Sequence, residues 1–370
     1  MLRTLKDIDV KGKRALVRVD LNVPLGDDSK IDKNESWRIE AIVPTLKYLI
    51  KQKAKIVLIS HLGRPRGVNK KFSLKPVAKE LSRLLNKKIV FNGKSGDIVM
   101  LENIRFKPGE EKNSPKLAQD LAKLGDFFVN DAFAVSHREH ASIVGIPKYL
   151  DSVVGLLFEK EIKELDKVLD SKKPLIAIIG VAKIATKIKV INRFSIIGDK
   201  VLIGGALAND IFAAQGISMG KSLIDKNSFS EVEKLDLTGS KFFLPVDLAV
   251  WDGEKVRYCE IDDVREKEKA LDVGPKTINL FCDLIKDAKT IIWNGPLGYY
   301  TKPPFDKSCV EITKAINDSK AYSVVGGGDT VAFLRSIDKD NIFNHVSTGG
   351  GAMLDYLANE TLPGIIALEK

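Results

Sequence analysis

The segment Ala321–Thr330, AYSVVGGGDT, combines residue types suited to holding phosphate. A short β-branched run leads into Gly326, Gly327 and Gly328, and Asp329 and Thr330 behind them are both good helix N-cap residues. A strand, a turn of bare backbone and a helix N-terminus offer an anion free N–H groups and the positive end of a helix dipole. A carboxylate at that spot repels phosphate unless a cation lies between them, so Asp329 points to Mg²⁺. The device recurs where His345-Val-Ser-Thr is followed by Gly349, Gly350, Gly351 and an apolar helical stretch. A single triple glycine is also compatible with a plain tight turn; two in succession favour a phosphate cradle.

A second group of residues suits a carboxylate or phosphate ligand. Asp20 and Asn22 follow the predicted strand Arg14–Val19, and His61 and Arg64 follow Lys55–Ser60. Arg105 follows Ile98–Glu102, while Asn130 and Asp131 follow Asp126–Val129. Arg38 opens a predicted helix, and Arg138 lies in the loop Ser136-His-Arg138-Glu-His140. Ligands of open α/β sheets bind outside the carboxyl ends of strands. Guanidinium forks grip carboxylate and phosphate bidentately there. Each arginine alone is equally readable as a surface salt bridge, and only their joint placement indicates an anion site. His137 and His140, without further His or Cys nearby, read as loop or supporting residues rather than metal ligands.

The second half of the chain repeats the logic. Strand Leu175–Ile179 runs into Gly180-Val-Ala-Lys183-Ile-Ala-Thr-Lys187, which sets two lysines four apart on one helix face. That suits a polyphosphate, although two solvated lysines would look the same. The segment is not a Walker A loop, and no GxGxxG fingerprint follows the first strand of either half, which argues against a nicotinamide dehydrogenase.

Such residues need a scaffold, and strands alternating with amphipathic helices predict a parallel α/β sheet in each half. Helices are expected at Trp37–Gln52, from Ser73 as cap through Leu85, and at Ser114–Leu124. Leu156–Leu169 (LLFEKEIKELDKVL) is strongly amphipathic, ends before Pro174 and sits where a connector should be. Beyond it, strands are expected at Val201–Gly205, at Phe242–Val246 delivering Asp247, and at Thr290–Trp293 delivering Asn294, Gly295 and Pro296.

With 370 residues, 44% hydrophobic and 29% charged, the chain has room for two soluble domains. Its apolar runs are strand-sized, so no membrane partner is expected, and the N-terminal MLRTLKDIDVKGKR lacks the apolar core of a signal peptide. Cys259, Cys282 and Cys309 show no metal-ligand spacing and fit a reducing, cytoplasmic setting. The net charge of +10 suits anionic ligands, and no motif supports nucleic acid as a partner.

In ordered combination, VRVDLNVP, SHLGRP, SLKPVA, LENIRF, GEEKN, VNDAF, HREHAS, LIGGALA, GKSL, LPVD, VGPKT, WNGPLG, VVGGGDT and STGGGA resemble the phosphoglycerate kinase family from Arg14 to the tail. The resemblance implies an α/β fold of two doubly wound, Rossmann-like parallel-sheet domains joined by a helix and hinge. Residues 1–155 would bind 3-phosphoglycerate or 1,3-bisphosphoglycerate, 156–170 would connect, 171–355 would bind nucleotide, and 356–370 would return to the first domain. It also implies a monomer that transfers the 1-phosphate of 1,3-bisphosphoglycerate to Mg-ADP, reversibly. Asp20, Asn22, Arg38, His61, Arg64, Arg105 and Arg138 would hold the acid. Lys183, Lys187, Asn294, Pro296, Gly326, Gly327, Gly328, Asp329 and Thr330 would hold ADP or ATP, with Asp329 on Mg²⁺. Arg38, Lys187 and the backbone of Gly349 and Gly350 would serve the moving phosphoryl group. Because the substrates attach to different domains, hinge closure is expected to bring them together. The alternative is a catalytically quiet paralogue binding nucleotide or RNA.

Three positions depart from the family pattern, all near the nucleotide: Val181 replaces a glycine, Thr186 an aspartate, and Thr301 the glutamate that meets the ribose hydroxyls. Losing a hydrogen bond to a charged group costs about 1.5–3 kcal/mol. Weaker ADP binding is therefore expected, and Thr301→Glu should tighten it about tenfold; calorimetry showing equal affinity removes that explanation.

Overall fold

The computed structural model describes residues 2–26, 31, 36–180, 188–235, 237 and 239–369, with Lys189 and Ser228 described by backbone alone. The chain forms two compact units, Met1–Glu164 with Gly351–Lys370, and Leu165–Gly350.

The first unit is built on six parallel strands: β1 (Arg14–Val19), β2 (Lys55–Ile59), β3 (Val90–Phe91), β4 (Ile98–Met100), β5 (Phe127–Asp131) and β6 (Ser152–Val154). Their order is β3-β4-β2-β1-β5-β6, so the winding reverses at β1 between β2 and β5. The registers Leu16↔Val57 and Leu16↔Phe128 align the three central strands. Val17, Val19, Ile56, Leu58 and Val129 bury one face of the sheet with Leu46, Leu49, Val77 and Leu81 of the covering helices. The near-continuous apolar strands are what a sheet buried on both faces requires. The C-terminal segment also belongs to this unit: Gly364 N–H donates to Ser136 O at 2.8 Å, and the Tyr356 ring meets Phe133 edge-on.

The second unit carries β7 (Leu175–Ile179), β8 (Lys200–Ile203), β9 (Phe242–Phe243), β10 (Asp247–Trp251), β11 (Val256–Glu260), β12 (Lys269–Val273), β13 (Thr290–Asn294), β14 (Tyr322–Gly326) and β15 (His345–Val346). Six of them form a parallel sheet in the order β15-β14-β13-β7-β8-β9, whose winding reverses at β7 between β8 and β13. Its core packs Ile176, Ile178, Ile291 and Trp293 against Phe281, Ile285 and Ile312.

Several expectations change in detail. The helix expected over Trp37–Gln52 is two, Trp37–Ala41 and Val43–Lys51, because Pro44 has no N–H to donate and sits in the first turn of the second. The N-cap position of the next helix, which runs Lys75–Leu85, is Leu74 and not Ser73; the Ser73 hydroxyl donates to Glu102 Oε2 at 2.7 Å and accepts the Lys75 N–H at 3.3 Å. Phe242–Val246 shortens to Phe242–Phe243, and Asp247 opens β10 of a separate antiparallel sheet, β11-β10-β12, which the sequence reading lacked. The helix at Leu156–Leu169 and the strand at Leu175–Ile179 have the expected bounds.

Candidate active site

In the first unit the sheet reverses at β1, and Asp20 and Asn22 leave from that point, where a doubly wound sheet opens its ligand crevice. Gly63 joins three of the segments around it. Its N–H donates to Asn22 Oδ1 at 2.8 Å, and its carbonyl accepts from Arg105 Nη1 at 2.5 Å. Asp20 Oδ1 accepts from Asn22 N at 3.1 Å and lies 3.6 Å from His61 Nδ1. Asn103 fixes the turn that carries Arg105, its amide donating to Leu62 O at 2.8 Å and Phe72 O at 2.9 Å.

The centre of this cluster is a residue the sequence reading missed. Arg18 is 1% exposed inside β1, with Nε donating to Ser142 Oγ at 2.9 Å and a guanidinium hydrogen bond to Val19 O. Ser142 passes the charge on: its Oγ donates to Glu110 Oε1 at 2.6 Å and its N–H to Glu110 Oε2 at 3.0 Å. A further Arg18 nitrogen, Nη2, stands 3.4 Å from His61 Nδ1. Nδ1 therefore stands between a guanidinium donor and the Asp20 carboxylate. Burial, and then the charges of Arg18, Arg105 and Arg138, push His61 well below the usual imidazole range. The same causes lower His140 to about 4, and burial followed by the Arg138 charge lowers Arg105 to about 10. The structure thus brings Asp20, Asn22, His61, Arg105 and Arg138 together around Arg18. His61 is neutral there, and the guanidinium groups, faced by the carboxylates of Asp20, Glu110 and Glu111, present the donors that an anionic ligand would take.

The other two arginines stand apart in what their contacts reveal. Arg38 is half-buried on Trp37–Ala41, its guanidinium 4.7 Å from the Trp37 ring centroid. Arg64 is exposed directly after Gly63. Asn130 and Asp131 lie at the end of β5 and not beyond it, and both are spent on structure. Asn130 Nδ2 donates to Ser136 Oγ at 3.1 Å. Asp131 Oδ1 accepts the N–H groups of Leu157 and Phe158 at 3.0 and 3.1 Å, which caps the helix Leu156–Leu169.

In the second unit Gly180 leaves β7 at the reversal of the sheet, and Asn294 and Gly326 end the neighbouring strands β13 and β14. Helix Gly328–Ser336 has Gly327 as its N-cap, at φ +99°, a backbone conformation that glycine alone adopts without strain. Asp329 and Thr330, expected as caps, are inside its first turn. The left-handed bend must come before the helix, and only a glycine supplies it. Thr330 Oγ1 accepts the Gly295 N–H at 2.9 Å, tying the loop after β13 to this helix. Asp329 is exposed.

The second glycine loop meets the first. A Cβ on Gly350 would lie 2.5 Å from both N and Cα of Gly327, so the two backbones touch where neither has a side chain. The Asn294 amide reaches both loops: its Nδ2 lies 3.4 Å from Gly350 O and would be 3.2 Å from a Cβ on Gly327. Gly349 N–H donates to Ser347 Oγ at 3.2 Å, and Gly350 starts the helix that follows. Asn294, Pro296, Gly327, Gly328, Asp329 and Thr330 line one cavity of about 700 Å³. Lys183 and Lys187, together with Val181 and Thr186, lie outside the described residues.

The family model described as phosphoglycerate kinase matches residues 5–360. The chain is similar to the phosphoglycerate kinase of Pelotomaculum thermopropionicum, 41% identical over 390 residues that cover 99% of this chain and 98% of the relative. Among solved structures it is similar to phosphoglycerate kinase from Coxiella burnetii, with a TM-score of 0.84 at 36% identity over 100% of this chain and 99% of the other. Phosphoglycerate kinase from Pyrococcus horikoshii OT3 gives a TM-score of 0.87 at 32% identity over 100% and 98%.

Proposed function

The chain belongs to the phosphoglycerate kinase family, glycolytic phosphotransferases with a carboxyl group as acceptor, and we propose how its own residues divide that work. The first unit holds 3-phosphoglycerate or the acyl end of 1,3-bisphosphoglycerate, with Asp20, Asn22, His61, Arg105 and Arg138 as the assembled part of the site and Arg38 and Arg64 completing it. The second unit holds ADP or ATP across the paired glycine loops. Residues 156–170 connect the two substrate-binding domains, and the tail from 356 completes the first.

Phosphoryl transfer asks for in-line placement and positive charge on the three equatorial oxygens rather than covalent help. The backbone N–H of Gly350 and the cations of Arg38 and Lys187 supply that charge, and the Gly349 N–H joins them by giving up its 3.2 Å bond to Ser347 Oγ. The acyl phosphate already has a good leaving group, so no general base is needed in the ATP-forming direction. Mg²⁺ characteristically takes one or two carboxylates and completes its shell with substrate phosphates and water. Asp329, an exposed carboxylate in the wall of the cavity beside the glycine turn, fits that role. No cluster of His, Cys, Asp or Glu among the described residues could hold a metal without such phosphates. Bound there, the ion would neutralise charge on the nucleotide phosphates.

No helix among the described residues is long and apolar enough to cross a membrane, and Cys259, Cys282 and Cys309 are free thiols. We place the enzyme in the cytoplasm as a monomer, with no nucleic-acid partner.

The observation that supports this assignment of roles most strongly is the contact of Gly350 with Gly327, since a quiet binder has no evident need for two loops of bare backbone against each other. The test is Mg²⁺-dependent turnover of ATP with 3-phosphoglycerate, coupled to NADH oxidation. Saturable activity in both substrates is expected, and none from folded protein would favour the quiet binder. Lys187→Ala should lower kcat strongly with the fold intact; a kcat within about threefold of wild type removes Lys187 from the mechanism.

A further inference from the structure

Part of the wall of the 700 Å³ cavity comes from the antiparallel sheet and the segment after Gly298, away from the glycine turns in sequence and in chemistry. Trp251, the last residue of β10, lines it, and the Lys302 ammonium lies 3.0 Å from the centroid of its ring. Leu223 and Tyr299 line the cavity as well and are 70% and 54% exposed. An indole with exposed aliphatic and phenolic neighbours is a surface that a flat, weakly polar group would remove from water. The cavity's carboxylates do not explain the lysine. Asp272 is hydrogen-bonded to Ser308 and to Val273 N, and Asp329 sits on the other glycine-bearing segment.

We propose that Trp251 is the stacking surface for the nucleotide base and that Lys302 competes with the base for it. The inference rests on the reading of this cavity as the nucleotide site. Every base has a π-face, and stacking on an aromatic side chain adds binding free energy without hydrogen-bond readout. A cation over the indole is attracted to the same face. Base binding therefore displaces the ammonium, and part of the stacking is offset by that loss. Purines, with the larger face, gain more than pyrimidines.

The two residues then act with opposite sign. Trp251→Ala is expected to weaken Mg-ADP binding about tenfold or more, and to narrow the gap in affinity between ADP and CDP. Lys302→Ala is expected to tighten Mg-ADP binding about two- to fivefold. The double variant should match Trp251→Ala, since Lys302 has nothing left to cover. Isothermal titration of the full chain reads all three. Tryptophan fluorescence adds a local probe: Trp293 is buried but bonds the cavity-lining Gly295 through Nε1, so the part of the ADP-dependent change that Trp251→Leu abolishes reports on Trp251. Trp251→Leu keeps apolar bulk in β10 and serves if the alanine variant does not fold. Wild-type binding with Trp251 variants unchanged overturns the stacking role and leaves the nucleotide site standing. Weaker binding by Lys302→Ala overturns the competition and makes the lysine a ligand. Folded wild type that neither binds Mg-ADP nor turns over sinks the stacking proposal together with the site it rests on.

Discussion

Replacing Gly350 by alanine is expected to lower kcat by about 100-fold or more while the protein stays folded. The added methyl would lie 2.5 Å from N and Cα of Gly327, and backbone atoms cannot turn aside as a side-chain tip can. The loops must part by something near an ångström, and a misplacement of that size is enough to cost two orders of magnitude in a reaction that depends on alignment. The Asn294 amide would follow one loop or the other, since it lies 3.4 Å from Gly350 O beside Gly327. The cost in stability is smaller, about 1–3 kcal/mol for overpacking. Gly239→Ala is the matching control, because its Cβ would meet nothing within 4 Å. The comparison needs kcat from the coupled assay and a denaturation midpoint for each variant. A Gly350→Ala enzyme that keeps more than a third of wild-type kcat would show that the contact of the loops does not serve transfer.

The glycine loops were legible in the sequence because their signal is local: consecutive glycines between a strand and a helix have few other uses. Their contact with each other was not, since nothing in VVGGGDT or STGGGA says that Gly350 reaches Gly327. The same division separates the arginines. Arg64, Arg105 and Arg138 stand outside strands, where a charged side chain invites a functional reading. Arg18 stands inside RALVRV, where it passes for the polar half of an alternating strand. Its partners Ser142 and Glu110 are brought to it by the pairing of β1 with β5 and by the loops beyond, which no pattern near residue 18 encodes. A buried arginine in a parallel strand with covered faces was the available clue, because such strands have no solvent side to alternate toward. The antiparallel sheet escaped for a related reason. β11 alternates exposed and covered residues around charges, and its identity as a strand comes from its pairing with β10.

The buried network around Arg18 carries the second large expectation. Glu110 is 1% exposed and Arg18 is 1% exposed, so neither charge is solvated and each depends on the other through Ser142. Burial lowers the Arg18 pKa, and the Glu110 charge is the largest influence holding it up. Glu110→Ala should therefore destabilise the protein by about 3–5 kcal/mol, the cost typical of leaving one member of a buried pair uncompensated. Removing both charges with apolar residues of similar size, as in Arg18→Met with Glu110→Leu, should recover part of that loss, since the lone charge is gone while the buried Ser142 hydroxyl and N–H are left without their Glu110 acceptor. Denaturant midpoints for the two single variants and the double decide it; a Glu110→Ala cost below about 1 kcal/mol would mean that water reaches the guanidinium. Acid stability supplies a second readout of the same cluster. His61 and His140 are held below the ordinary imidazole value of 6.5, the latter to about 4, by burial and the surrounding guanidinium groups. As pH falls from 6.5 toward 4 the unfolded chain protonates these two histidines and the native one does not, so they contribute a decline in stability across that window, opposed by the buried carboxyls of Asp131 and Asp272, which burial raises to about 6 and about 7. Arg18→Met, which removes one of the charges that lower both histidines, should make their contribution shallower, whereas a slope unchanged by the substitution would leave burial and the charges of Arg105 and Arg138 as its causes.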